Sequence, residues 1–210
     1  MIYDISRTIE PEMSVYKNRF NKKPRFTWVS FYADKGVRES ELLMNLHTGT
    51  HIDAPIHMLE NGESVDTLAW DLFVGHARVL DLTDLDRKIE ADDLRKYNLQ
   101  EGEIILCKTK NSLTDEFSFD FICFAPSAAE YMAESKIKAV ALDAMSLESN
   151  DPEHPVHQIL LGNGIGCMED VRLAEVPEGE YNMLSLPLRI SGYDAGPSRA
   201  LLFTKDEALF

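Results

Sequence analysis

The chain is short of positive charge. Lysine and arginine together number 21 against 36 aspartate and glutamate residues, a net charge of −15 over 210 residues. So acidic a protein repels phosphate backbones and anionic bilayers, which argues against nucleic acid and membrane surfaces as partners. Long apolar runs are missing as well, and none approaches the roughly 20 residues of a membrane span. The opening, "MIYDISRTIEPEM", has no basic stretch followed by an apolar one, so no secretory leader is expected there. Cysteine is scarce. Cys107, Cys123 and Cys167 are an odd, scattered set without a C-x-x-C pair, which excludes a disulfide framework and a thiolate zinc knuckle. They are expected to be small buried hydrophobes in a reducing, cytoplasmic protein. Repeats, low-complexity tracts and linkers rich in Gly, Ser or Pro are also absent, so residues 1–210 are expected to form a single domain.

What is present reads as a mixture of strands and helices. Aromatic and β-branched residues over 25–34 predict a strand, and alternation over 76–85 predicts another. Further strands are expected at 102–110, 138–146, 182–190 and 198–205. Acids in a first turn predict a short helix over 89–98, and Pro126 followed by good helix formers predicts one over 125–135. Strands outnumber helices. A helix lies between the strands at 102–110 and 138–146, so parallel pairing is expected there, within a mixed α/β fold.

Histidine is concentrated. Three of the six fall in "HTGTHIDAPIH", residues 47–57. His47, His51, Asp53 and His57 are the candidate ligands in that stretch, and imidazole nitrogen with carboxylate oxygen suits zinc and similar divalent metals. Two histidines and one carboxylate leave coordination positions open, as a catalytic metal requires. Thr48, Gly49 and Thr50 are poor helix formers, so the i, i+4 pair His47 and His51 is expected on a tight loop. A second segment, "HPVHQILLGNGIGCMED", supplies His154, His157, Glu169 and Asp170. His157 and Glu169 are candidates to complete the site, with Asp170 as the competitor. His154, between Glu153 and Pro155, is expected on an exposed loop, and His76 is expected to be structural.

"HTGTHIDAPIH" resembles the HxGTHxDxPxH signature of the metal-dependent cyclase family, which includes bacterial kynurenine formamidases. "IYDISRTIEPEMSVY", "VALDAMSLE", "HQILLGNGIGCMED" and "LPLRISGYDAGPSRALL" resemble its other segments, so the likeness covers nearly the whole chain. The resemblance implies a swivelling β/β/α domain assembled as a homodimer or tetramer. It implies that His47, His51 and Asp53 bind metal, with Asp53 bridging two ions, and that His157 and Glu169 complete the second position. It implies His57 as proton donor and acceptor. The expected cofactor is one or two zinc ions per subunit, with manganese as the other candidate.

The family's Trp-Pro-Gly-Asp segment is replaced here by Tyr16, Lys17, Asn18 and Arg19. Tyr16 is expected to take the place of the tryptophan against the substrate. The favoured activity is hydrolysis of a small amide, N-formylkynurenine to kynurenine and formate. The alternatives are hydrolysis of another cyclic amide or lactone, as by an isatin hydrolase, and a metal-binding protein without catalysis.

Overall fold

A computed structural model describes residues 1–149 and 151–205. Ten strands run β1 Ile2–Asp4, β2 Arg25–Ser30, β3 Glu39–Leu43, β4 His51–Asp53, β5 Val74–Asp81, β6 Ile104–Lys108, β7 Ala139–Leu142, β8 Gly166–Glu169, β9 Gly179–Pro187 and β10 Ala195–Thr204. The helices are α1 Tyr32–Lys35, α2 Ala91–Arg95, α3 Pro126–Glu134 and α4 Pro155–Gly162.

Four of the strands, β5 to β8, pair in parallel in chain order. Beyond β8 the pairing becomes antiparallel, to β4, then β10, then β9, and β9 returns to β5. The sheet thus closes into a mixed barrel, with β1 appended to β10. The helical crossover between β6 and β7 is α3, as its place in the sequence predicts.

Alternation along the parallel strands sorts their side chains into two cores. Ile104, Leu106, Ala139, Ala141 and Met168 enter the barrel, where they meet Ile52, Val79 and Met183. Their neighbours Ile105, Cys107, Val140, Leu142 and Cys167 face outward onto the apolar sides of α2, α3 and α4. Strands covered on both faces read as unbroken apolar runs, which is why β6 and β7 are visible in the sequence. All three cysteines are free and buried, as expected.

The predicted elements hold at their centres and shift at their ends. The strand expected over 25–34 stops at Ser30, because the chain then makes the single turn α1, closed by Gly36 at φ 70°. Left-handed backbone at a helix end suits glycine. The helix over 89–98 contracts to Ala91–Arg95, fixed by a capping box between Glu90 and Asp93. His76 lies on β5 and is exposed. His154 lies in the loop that enters α4, as its N-cap, and is about half exposed, as expected.

Candidate metal centre

The centre is built on the outer face of the barrel, where β4 crosses β8. Only three residues of β4 are in ladder geometry, and the middle one, Ile52, points into the barrel. Strand alternation therefore turns His51 and Asp53 outward. Met168 of β8 also points inward, which turns Cys167 and Glu169 out. The register sets His51 opposite Glu169 and Asp53 opposite Cys167. The tight loop expected from the sequence covers residues 47–50 only, and His51 begins a strand. Gly49 lets that loop form. Its φ is 74°, and a Cβ there would collide with Ile9 Cδ1.

Helix α4 delivers the distant candidate, His157. Its apolar side, Val156, Leu160 and Leu161, packs into the outer core, and His157 shares that buried side. His157 Nε2 reaches Glu169 Oε1 at 3.0 Å and Asp53 Oδ2 at 3.5 Å. Glu169 ends strand β8, and Leu147 N–H donates to its Oε1 at 2.7 Å. Asp170 does not compete with it. Its backbone is left-handed, φ 57°, and its carboxylate pairs with Arg7 Nη1 at 3.1 Å.

Three imidazoles have one nitrogen anchored and the other aimed at the carboxylates. His51 Nδ1 donates to the Gly49 carbonyl oxygen at 2.8 Å. His157 Nδ1 donates to Glu148 at 2.5 Å, and His47 Nε2 to Asp194 at 2.8 Å. An acceptor on one nitrogen fixes the proton there and leaves a lone pair on the other. The inner nitrogens of His47 and His51 then face each other at 3.2 Å. At that distance a proton or a metal ion between the two nitrogens relieves their repulsion.

Asp53 is 1% exposed, and neither of its oxygens accepts a hydrogen bond of acceptable geometry. Its Oδ1 nonetheless lies 2.9 Å from His47 Nδ1 and 3.3 Å from His51 Nε2. Buried carboxylates lacking hydrogen bonds are rare. Two carboxylate oxygens that lie close to three imidazoles without bonding them match the demands of a cation shared by all of them.

The electrostatics point the same way. Burial opposes the charged ring of His51, but contacts with Asp53 and Glu169 outweigh it and raise the imidazole to about 10. His157 is raised well above its usual range on the same balance of burial against Asp53, Glu148 and Glu169. Burial and the Asp53 charge oppose ionisation of Glu169, yet the His157 and His51 contacts hold it at about 2. Without a metal, the two carboxylates draw protons onto the rings. A divalent ion meets the same demand for positive charge and displaces those protons.

His57 lies beside this cluster on the 3₁₀ turn Pro55–His57. Its ring is 4.2 Å from that of His47, and its Nδ1 is 3.5 Å from Asp194 Oδ2. Burial lowers its basicity, with the neighbouring His47 and His157 acting in the same sense against Asp53 and Glu169. Tyr16 is not among these contacts. Its ring meets Phe117 and Phe121 edge-on, at 5.4 and 6.4 Å, and carries the Lys17 and Lys22 ammonium groups over it.

Sequence reasoning missed Glu148 and Asp194, which orient His157 and His47. Neither has a spacing that ties it to the histidine cluster. The only signal was their lying in "VALDAMSLE" and "SGYDAGPS", segments already noted for their resemblance.

The model of the Cyclase family matches residues 3–149. The kynurenine formamidase of Salinibacter ruber is 32% identical over 206 residues, covering 96% of each chain. A solved structure described as a potential metal-dependent hydrolase with cyclase activity is 40% identical, superposes with a TM-score of 0.92 and covers 99% of both chains. The isatin hydrolase A of Labrenzia aggregata shares the fold, with a TM-score of 0.85 at 22% identity over 98% of this chain and 94% of its own. On the family match and the full-length relative together, this chain belongs to the Cyclase family.

Proposed function

We propose that the centre binds a divalent metal and that the protein hydrolyses a small amide, an N-formyl aryl amide of the N-formylkynurenine type, to the arylamine and formate. The observation that carries this is Asp53, a buried carboxylate whose two oxygens face the inner nitrogens of three imidazoles without bonding them. The full-length likeness to a kynurenine formamidase supports the substrate class. Nitrogen and carboxylate donors without thiolate favour zinc, with manganese second. His47, His51, Asp53, His157 and Glu169 would hold it. Asp53 Oδ1 faces His47 and His51 while Oδ2 faces His157, an arrangement that supports two ions bridged by this residue.

Bound there, the metal would supply Lewis acidity and water with a lowered pKa. The protein's own groups do the rest. His57 has its ring packed on His47 and one nitrogen near Asp194, at the partly exposed border of the cluster. It accepts the proton released as water adds to the amide carbon and returns it to the departing nitrogen, so the C–N bond breaks with a neutral amine leaving. A formyl carbon is unhindered, and its aryl nitrogen is a better leaving group than an alkyl amine.

Metal analysis of the purified protein, with turnover of N-formylkynurenine before and after chelation, tests this. One to two equivalents of zinc are expected, with activity lost on chelation and restored by zinc. Isatin and a simple lactone belong in the same panel. Metal-free protein with undiminished turnover would defeat the proposal, and preference for either of those compounds would defeat its substrate class.

A homo-oligomer is the second part of the proposal. The β2–β3 hairpin forms its own two-stranded sheet, and Phe26, Trp28, Leu42 and Leu43 are each exposed by 46% or more. An isolated hairpin is marginal in water, and so large an apolar surface is seldom left bare. A second copy is the proposed cover. Light scattering should give at least a dimer mass, and Trp28→Glu should shift it toward the monomer. A monomeric wild type would refute this part. Among the described residues no helix is long and apolar enough to cross a membrane.

A further inference from the structure

Lys22 is a half-buried cation that has no carboxylate partner among the described residues. Its ammonium lies 5.5 Å from the centroid of the Tyr16 ring, and among the described residues no acidic oxygen comes within 4.0 Å of it. The other lysine over that ring, Lys17, sits 5.0 Å away. Tyr16 is itself held by the edges of Phe117 and Phe121, so the ring is a fixed platform. The Lys22 backbone is tied to the signature loop, since Thr48 Oγ1 donates to the Lys22 carbonyl oxygen at 2.9 Å. Thr48 is 2% exposed and lies between His47 and His51. Lys22 is thus anchored at both ends, by its carbonyl to the metal-centre loop and by its ammonium to an aromatic face.

Acidic groups that act on it belong to the metal centre. Burial and the Arg19 charge lower the Lys22 ammonium, whereas Glu169, Asp53 and Asp194 pull it back up. Those three acids belong to β8, to β4 and to the residue before β10, and all three border the metal centre. A half-buried ammonium on the rim of a hydrolytic centre, with no acid of its own, leaves room for an anion from outside. The ordinary partner for it is a carboxylate.

We infer that Lys22 binds the carboxylate of the substrate, with Tyr16 as the platform that positions it, and so makes the enzyme selective for aryl amides that carry a carboxylate over those that lack one. This rests on the amide-hydrolase reading above. It assigns Tyr16 a different part from the stacking partner expected from the sequence. The aryl ring of the substrate need not lie on Tyr16, whose ring already carries two ammonium groups.

The test compares N-formylkynurenine with N-formylkynuramine, which lacks only the carboxylate. In zinc-loaded full-length protein, Lys22→Met should raise KM for N-formylkynurenine about 10-fold, the worth of one charge-assisted contact, with kcat within about twofold. N-formylkynuramine should be unaffected, and Lys22→Arg should recover most of the loss. Equal losses on both compounds, carried in kcat, would place Lys22 at the reacting atoms and overturn the inference, as would an unchanged KM for N-formylkynurenine. Calorimetric binding of L-kynurenine and kynuramine, which needs no turnover, separates the two readings. Wild type that hydrolyses neither formyl compound, yet binds L-kynurenine more tightly than Lys22→Met does, would defeat the hydrolase reading and leave the carboxylate site standing. Equal binding of L-kynurenine by the two proteins would defeat the carboxylate site.

Discussion

Asp53→Asn is expected to leave the protein folded and almost free of metal, with hydrolysis reduced about 10³-fold or more. Outer partners of metal ligands typically cost 10- to 100-fold in metal affinity or activity when replaced, and Asp53 is placed nearer the centre than any such partner. The substitution keeps the shape of the side chain. It removes the negative charge that faces three imidazoles and exchanges one acceptor oxygen for a donor NH₂. That donor would point at nitrogens that already need a cation between them, so no ion can be shared there. Folding should survive, because the barrel wall beneath Asp53 is built by Ile52 and Met168 on the opposite face of the same strands. Circular dichroism and metal analysis check the two halves. An Asp53→Asn variant that retains a full complement of zinc would remove Asp53 from the ligand set.

His57→Ala should separate chemistry from metal binding. The variant is expected to keep its metal and lose about 10²- to 10⁴-fold in kcat, the range for loss of a positioned acid–base group. The reason is its geometry. His57 stacks on His47 and approaches Asp194, but it makes no close approach to Glu169, and its contact with His157 is ring to ring at 6.1 Å. The deficit should shrink as the leaving amine becomes less basic, because such amines depart with less help from a proton. A series of ring-substituted formanilides measures this as a steeper dependence on leaving-group pKa in the variant. Metal content falling in step with activity would instead make His57 a ligand, as its nearness to His47 and Asp53 allows geometrically.

Much of the centre was legible because its chemistry is local. His47, His51, Asp53 and His57 lie within eleven positions, and donors of mixed type packed that densely have few structural uses. The strands β6 and β7 and helix α3 were legible for a related reason. Their periodicity reflects burial on two faces or one, and burial acts residue by residue along the chain. Strand β4 was not legible. Three residues are too few to show alternation, and Thr48–Gly49–Thr50 before it reads as loop. It is a strand because β8 and β10 flank it and supply its hydrogen-bond partners. Pairing of β8 with β4 and β7 places Glu169 in the barrel wall, and the left-handed backbone at Asp170 accompanies its pairing with Arg7.

The sequence by itself determined the acidic charge, the mixed α/β class, the candidate donor set and the metals that would suit it, since each follows from residue types or short spacings. Only the tertiary structure decided which nitrogen of each histidine faces the centre. That depends on Gly49, Glu148 and Asp194, acceptors that chain connectivity leaves 2, 9 and 147 positions away. It decided as well that Lys22, 25 or more positions before the candidate histidines, is tied to their loop and stands over the Tyr16 ring. Side-chain direction in a barrel is set by the register of neighbouring strands, and register is a property of the closed sheet that no single segment carries.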